Sequence, residues 1–271
     1  MIPRVVRLDT ALYRRMKNES RPGGRLRAGR PALHMFLKNR IALVTGGTRG
    51  IGRAIAEALL DAGATLAICG RDQAGVDRAV MEMTERSKRK VVGRAADVSR
   101  SEDVSRLFEF VDREAGGLDI LVNNAGVGVF KPTSELTIED WRKTVETNLS
   151  GVFYCCREAL PRFKKREGGY IVNVSSLAGK NAFAGGAAYN ASKFGLNGLS
   201  EAAMLDHRYD GVRISYIMPG SVDTEFGAGA AHADWKIAPQ DIADIVLMLL
   251  RTPPRTLISR VEVRPSQPPR K

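Results

Sequence analysis

From residue 40 onward, short apolar runs alternate with amphipathic segments, and this pattern limits the possible folds more than any other feature of the chain. Ile41 to Thr45, Thr65 to Cys69, Val91 to Ala95, Ile120 to Asn123, Tyr170 to Ser175, Val212 to Met218 and Ser259 to Val263 read as strands. Helical patterns fall between them, at about 51–62, 73–87, 101–115, 138–166, 187–208 and 239–250. Strands this uniformly apolar are those of a parallel sheet buried on both faces, and each strand–helix–strand crossover is then right-handed. The expectation is one α/β domain over residues 35–264, a doubly wound, Rossmann-type parallel sheet of about seven strands flanked by helices.

The ends of the chain behave differently. Of 42 Lys+Arg and 30 Asp+Glu, nine basic and two acidic groups lie in residues 1–34. Three more cations lie in the last eight residues. The formal +12 therefore divides into +7, +3 and only +2 for the body of the chain. Residues 1–34 read as a basic extension without a fold of its own, with a targeting leader or a nucleic-acid arm as the alternatives. Residues 265–271 read as a flexible tail. A near-neutral body argues against nucleic acid as the partner, because such binding needs a basic stripe on folded elements. The longest apolar run, Ile245 to Leu250, is too short to span a bilayer, which excludes a membrane span. Three cysteines, Cys69 and the adjacent Cys155 and Cys156, have neither disulfide nor zinc spacing and read as reduced core residues of a cytoplasmic protein. His207 and His232 have no paired ligands, and no metal site is expected.

The first strand runs directly into Thr45-Gly46-Gly47-Thr48-Arg49-Gly50-Ile51-Gly52, and a helix follows at once. Glycines at 46, 50 and 52 let the backbone turn tightly and approach a pyrophosphate, while the helix N-terminus offers free N–H groups and a positive dipole. Strand, turn and helix together point to dinucleotide binding.

The spacing Gly-x-x-x-Gly-x-Gly resembles that of the short-chain dehydrogenase/reductase family. Further motifs of that family follow in its order: Asp97-Val98, Asn123-Asn124-Ala125-Gly126, Asn148, Ser176, Tyr189-Asn190-Ala191-Ser192-Lys193 and Pro219-Gly220-Ser221-Val222-Asp223-Thr224. The resemblance spans about 36–264 and is strongest to 3-oxoacyl-acyl-carrier-protein reductases and 3-hydroxy acid dehydrogenases. It implies an oxidoreductase that moves a hydride between a nicotinamide and a carbonyl or secondary alcohol. Its substrate would be a small molecule such as a 3-oxoacyl thioester or a 3-hydroxy acid. Gly46, Thr48, Arg49, Gly50, Ile51, Gly52, Asp97, Val98, Asn124, Ala125, Gly126, Pro219, Gly220, Val222 and Thr224 would line the cofactor. Family members use the 138–166 and 187–208 helices as interfaces, so a homodimer or homotetramer is implied.

The catalytic reading also follows from the residues. Tyr189 and Lys193 are i and i+4 on one helix face. A nearby ammonium, together with an oxidised nicotinamide, favours the phenolate and makes Tyr189 a usable acid/base. Ser176 closes a strand, where its hydroxyl can hold the substrate oxygen. The resemblance adds a second role for Lys193, on the nicotinamide ribose, and places Asn148 in a proton relay. A non-catalytic NADP(H)-binding sensor is the alternative; it would keep the glycine turn without needing Ser176, Tyr189 and Lys193.

Cofactor choice rests on the residue about 20 positions after the turn, where a carboxylate would bond the ribose 2′-OH. Nineteen after Gly52 stands Arg71, whose guanidinium matches a 2′-phosphate, and Arg49 adds a second cation. NADP(H) is expected in preference to NAD(H). Asp72 is either a ribose ligand, by a shift of one residue, or the N-cap of the next helix.

Overall fold

A computed structural model describes residues 35–226 and 232–269. The expected basic extension, residues 1–34, lies outside them, as do the last two residues of the expected tail. Seven strands form one parallel sheet: β1 (Ile41–Thr45), β2 (Thr65–Gly70), β3 (Val91–Ala95), β4 (Ile120–Asn123), β5 (Gly169–Val174), β6 (Val212–Pro219) and β7 (Arg260–Val263). Their order is β3-β2-β1-β4-β5-β6-β7. β1 and β4 are buried at every position, as expected for central strands covered on both faces.

The helices are α1 (Gly50–Asp61), α2 (Gln73–Ser87), α3 (Ser101–Ala115), α4 (Ile138–Val145), α5 (Gly151–Lys165), α6 (Ala187–His207) and α7 (Pro239–Arg251). α1 packs on α7 and touches α2, while α3 packs on α5 and α4 on α6. Leu107, Phe108, Val111, Cys155 and Phe163 fill one layer against Leu43, Leu121 and Ile171 of the sheet. All three cysteines are buried and unbridged. Burial pushes the Cys69 thiol up to about 11 and Cys156 up to about 12, so neither is a ready thiolate.

Strand order reverses between β1 and β4, the switch point at whose carboxyl ends a doubly wound sheet opens a crevice for ligands. The opposite, amino end of the central strands is clamped by one buried carboxylate. Asp119, just before β4, accepts from the Ile41 backbone N–H (2.8 Å), Arg40 Nη1 (2.9 Å) and Arg166 Nε (2.9 Å). This ties the starts of two strands to the end of α5.

Two departures from the sequence pattern stand out. The expected single helix over 138–166 is interrupted by a π-helical turn, Glu146–Ser150, between α4 and α5. Apolar periodicity continues through such a turn, so the pattern alone does not reveal it. Gly151, right after it, lies so close to the Val98 carbonyl that a Cβ there would stand 2.7 Å from the oxygen. The other departure is β5, which ends at Val174; Ser175 still donates its N–H to the Ile217 carbonyl of β6 (2.8 Å), while Ser176 leads into a 3-10 turn, Leu177–Gly179. Residues 264–269 continue past β7 without regular structure. No helix among the described residues is long and apolar enough to cross a membrane.

Candidate active site

The glycine turn after β1 is built as a cradle. Gly46 and Gly50 have φ of +64° and +56°, left-handed values that favour glycine. A Cβ on Gly52 would stand 2.2 Å from the Gly46 carbonyl oxygen, so no side chain fits. Arg49 precedes α1 without capping it through its side chain, which leaves the helix without a side-chain cap of its own. Ile51 and Gly52 lie in the first turn of α1.

Neighbouring loops are stapled to this turn. Thr45 Oγ1 accepts from the backbone N–H of Asn124 and of Ala125, both at 3.0 Å. Asn124 Nδ2 donates to the carbonyls of Thr45 (3.0 Å) and Gly46 (3.1 Å). Asn123 points elsewhere and links β4 to β5 through Asn173 Oδ1 at 2.8 Å. Gly126 lies against the Asn148 side chain, 3.2 Å from its Oδ1 to an ideal Cβ. Thr224 stands over the start of α1, its Cγ2 3.4 Å from where a Gly50 Cβ would be. Pro219 ends β6, Gly220 donates to the Val263 carbonyl (2.7 Å), and Val222 bridges to Ile237. After β3, Asp97 braces its own turn by accepting from the Ser99 N–H and hydroxyl, while Val98 is buried.

At the end of β2, Gly70 leaves room for Thr48, whose Cγ2 would be 3.0 Å from a Cβ there. Arg71 follows, exposed and without a hydrogen bond or ion pair to any other described residue. Arg49 is also exposed and forms a 3.4 Å pair with Glu225. Asp72 Oδ2 accepts from the Gly75 N–H at 2.7 Å and caps α2, the N-cap position that is one of its two readings.

Across the crevice, α6 brings Tyr189 and Lys193 to the carboxyl end of β5, next to Ser176. The Tyr189 phenol lies close enough to Ser176 to feel its hydroxyl, and Ser176 Oγ accepts from the Ala178 N–H at 3.1 Å. Lys193 is 5% exposed, and its Nζ donates to the Val174 carbonyl at 2.9 Å and lies 5.8 Å from the centre of the Tyr189 ring. Burial drives this ammonium down to about 8. The same cause raises the Tyr189 phenol above its usual value, against a downward pull from Ser176. Sequence reasoning expected a phenol lowered by the lysine. Among the protein's own groups burial is stronger than the pull from Ser176, and it carries the phenol upward.

Asn148 is fully buried in the π-helical turn. Its Oδ1 accepts from the Val127 N–H (2.8 Å), and its Nδ2 donates to the Val127 carbonyl (2.9 Å) and to Ser192 Oγ (3.1 Å). Ser192 in turn donates to the Tyr189 carbonyl at 2.8 Å. Asn148 thus joins the loop after β4 to the helical turn that carries the tyrosine.

Several residues of the site carried no role in the sequence reading. Asn190 Nδ2 donates to the Ala178 carbonyl (2.6 Å), and Asn197 accepts from Ser175 Oγ (2.6 Å) and donates to the Gly179 carbonyl (3.0 Å). Together they clamp the turn that presents Ser176. Their signal is the spacing 190, 193, 197, which puts three polar groups on one face of an amphipathic helix. Three phenylalanines, Phe130, Phe183 and Phe226, also gather near Tyr189 from separate loops. No local pattern marks them.

Residues 40–234 match the family model for short chain dehydrogenases. The chain belongs to the short-chain dehydrogenase family. An uncharacterized oxidoreductase of Staphylococcus saprophyticus is 30% identical over 233 residues, covering 84% of this chain and 98% of the relative. A metagenomic short-chain oxidoreductase, solved in complex with NADP, superposes with a TM-score of 0.75 at 36% identity, covering 86% of this chain and 99% of the other. An alcohol dehydrogenase from the archaeon Thermococcus sibiricus, complexed with 5-hydroxy-NADP, gives a TM-score of 0.80 at 29% identity, with the same coverage. Among the described residues of this short-chain dehydrogenase, no group of three His, Cys, Asp or Glu side chains could hold a metal.

Proposed function

We propose that this short-chain dehydrogenase is an NADP(H)-dependent carbonyl reductase and secondary alcohol dehydrogenase. The observation that carries the reading is the Tyr189 phenol beside Ser176 and a buried lysine 5.8 Å from the centre of its ring, in a chain whose first strand ends in a glycine cradle that any Cβ at position 52 would close. The cradle and the α1 N-terminus suit a pyrophosphate. Exposed Arg71, with no partner among the described residues, suits a 2′-phosphate in bidentate fashion, and exposed Arg49 in the glycine turn offers a second cation. The metagenomic relative carries NADP, which agrees with this choice over NAD(H).

The cofactor, when bound, supplies or accepts the hydride. The protein's part is the proton and the geometry. Burial keeps the Tyr189 phenol protonated at neutral pH, the state needed to donate to a carbonyl oxygen during reduction. Ser176 accepts from Ala178, which orients its hydroxyl to donate to that same oxygen. Lys193, at about 8, lies close enough to neutrality to exchange a proton, and its charge favours the phenolate once the proton has left. Asn148 supports the relay from behind by fixing Val127 and, through Ser192, the Tyr189 backbone. Exposed Phe153 on α5 and Phe194 on α6 support self-association into a homo-oligomer.

Tyr189→Phe removes only the hydroxyl. Carbonyl reduction, followed by NADPH absorbance, falls by about 10³-fold, while the NADPH dissociation constant from fluorescence titration stays within a few-fold. A variant that keeps a tenth of its turnover overturns the assignment.

A further inference from the structure

Three loops leave the carboxyl ends of β4, β5 and β6, and each contributes one phenylalanine to the surroundings of Tyr189. Phe130 meets the Tyr189 ring edge-on, with centroids 5.5 Å apart at 75°. Phe226 approaches the same ring at 5.9 Å and 50°. Phe183 extends the wall, 5.7 Å from Phe130 at 54°. Gly128 is what lets two of them converge. A Cβ there would stand 2.7 Å from Phe130 Cζ and 3.0 Å from Phe226 Cε1.

All three rings are unusually open for phenylalanine, 44–46% exposed, although they pack on one another and on the catalytic ring. A contiguous apolar wall left open to water marks a surface that a ligand covers. Tilted and edge-to-face contacts leave ring faces free to receive another ring in an offset or T-shaped contact. Charges nearby are already matched. Lys131, next to Phe130, pairs with Asp140 at 2.7 Å, and Lys180 on the Phe183 loop pairs with Glu262 at 2.7 Å. Glu225, next to Phe226, pairs with Arg49. None of these groups waits for a carboxylate or phosphate on the substrate.

Resting on the assignment of Tyr189 as the proton donor, we infer that the substrate is a neutral carbonyl compound carrying an aryl ring beside the carbonyl, held by Phe130, Phe183 and Phe226. Ionic 3-oxo acids and flexible aliphatic chains fit this wall less well.

The test compares acetophenone with butan-2-one, with 3-oxobutanoate and with the neutral N-acetylcysteamine thioester of 3-oxobutanoate, using the full chain and NADPH. The expected result is a kcat/KM for acetophenone at least ten-fold above each of the others. Phe130→Ala, Phe183→Ala and Phe226→Ala each lower the acetophenone to butan-2-one ratio several-fold, and Phe→Leu restores part of it. Gly128→Ala lowers the same ratio without removing a ring. In parallel, saturation-transfer NMR reads acetophenone binding to the NADPH complex without needing turnover. If 3-oxobutanoate or its thioester outruns acetophenone, the aryl inference is overturned and carbonyl reduction stands. Ring binding that the phenylalanine variants abolish, with no carbonyl compound turned over, overturns the proposed reaction and leaves the pocket. Failure of acetophenone to bind overturns the inference outright.

Discussion

Replacing Lys193 by methionine should make the protein more stable at neutral pH while destroying its activity. Burial lowers this lysine from 10.5 to about 8, which corresponds to about 3 kcal/mol of penalty on the charged form. The unfolded chain binds the proton more tightly than the folded one. The penalty is therefore fully present below about pH 8 and is shed as pH rises from there toward 10.5. Methionine has a similar length and no charge, and what it gives up is the hydrogen bond to the Val174 carbonyl, about 1 kcal/mol. The net expectation at pH 7 is a variant about 2 kcal/mol more stable, with Tm higher by roughly 4–8 °C for a domain of this size. The advantage should shrink above pH 8 and reverse between about pH 9.5 and 10.5, where the remaining penalty falls below the roughly 1 kcal/mol lost with the hydrogen bond. Urea unfolding, followed by the fluorescence of Trp141 and Trp235 at a series of pH values, measures the difference directly. Lys193→Met less stable than wild type at pH 7, or a difference that does not move with pH, would refute the reasoning.

Three further outcomes follow from the site. Arg71→Asp should raise the KM for NADPH by at least ten-fold while leaving that for NADH little changed, because a carboxylate repels the 2′-phosphate; equal effects on both would contradict the assignment of Arg71. Asp72→Ala should lower stability by about 1 kcal/mol through loss of the α2 cap and leave the NADPH to NADH preference where it was, as thermal melts and paired kinetics would report. Gly52→Ala places a methyl 2.2 Å from the Gly46 carbonyl oxygen and should abolish NADPH binding in a fluorescence titration; retained affinity would mean that the turn is not the cofactor cradle.

Much of this arrangement could be read from the sequence because it depends on short-range rules. Short apolar runs such as Ile41 to Thr45, alternating with amphipathic segments, fit central parallel strands, and a glycine turn between such a strand and a helix has few geometries. Tyr189 and Lys193 were visible as i and i+4 neighbours. What stayed hidden depends on contacts between distant segments. The π-helical turn at Glu146–Ser150 is accompanied by the packing of Gly151 on Val98, 53 residues away in the chain, and heptad-scale periodicity does not register it. The direction of the Tyr189 shift depends on how deeply the phenol is buried, which follows from packing between distant segments and not from spacing along the helix. Phe130, Phe183 and Phe226 lie in loops without periodicity, and only the convergence of three strand ends brings their rings together.

That convergence also bears on how such a protein can change over time. Tyr189, the proposed acid–base group, rides on α6, tied through Ser192 to Asn148, and none of the three phenylalanines belongs to that helix. Each ring is encoded in its own connecting segment, separately mutable. Selection, or a designer working one loop at a time, can therefore reshape what is recognised in single steps while the reaction itself is inherited unchanged.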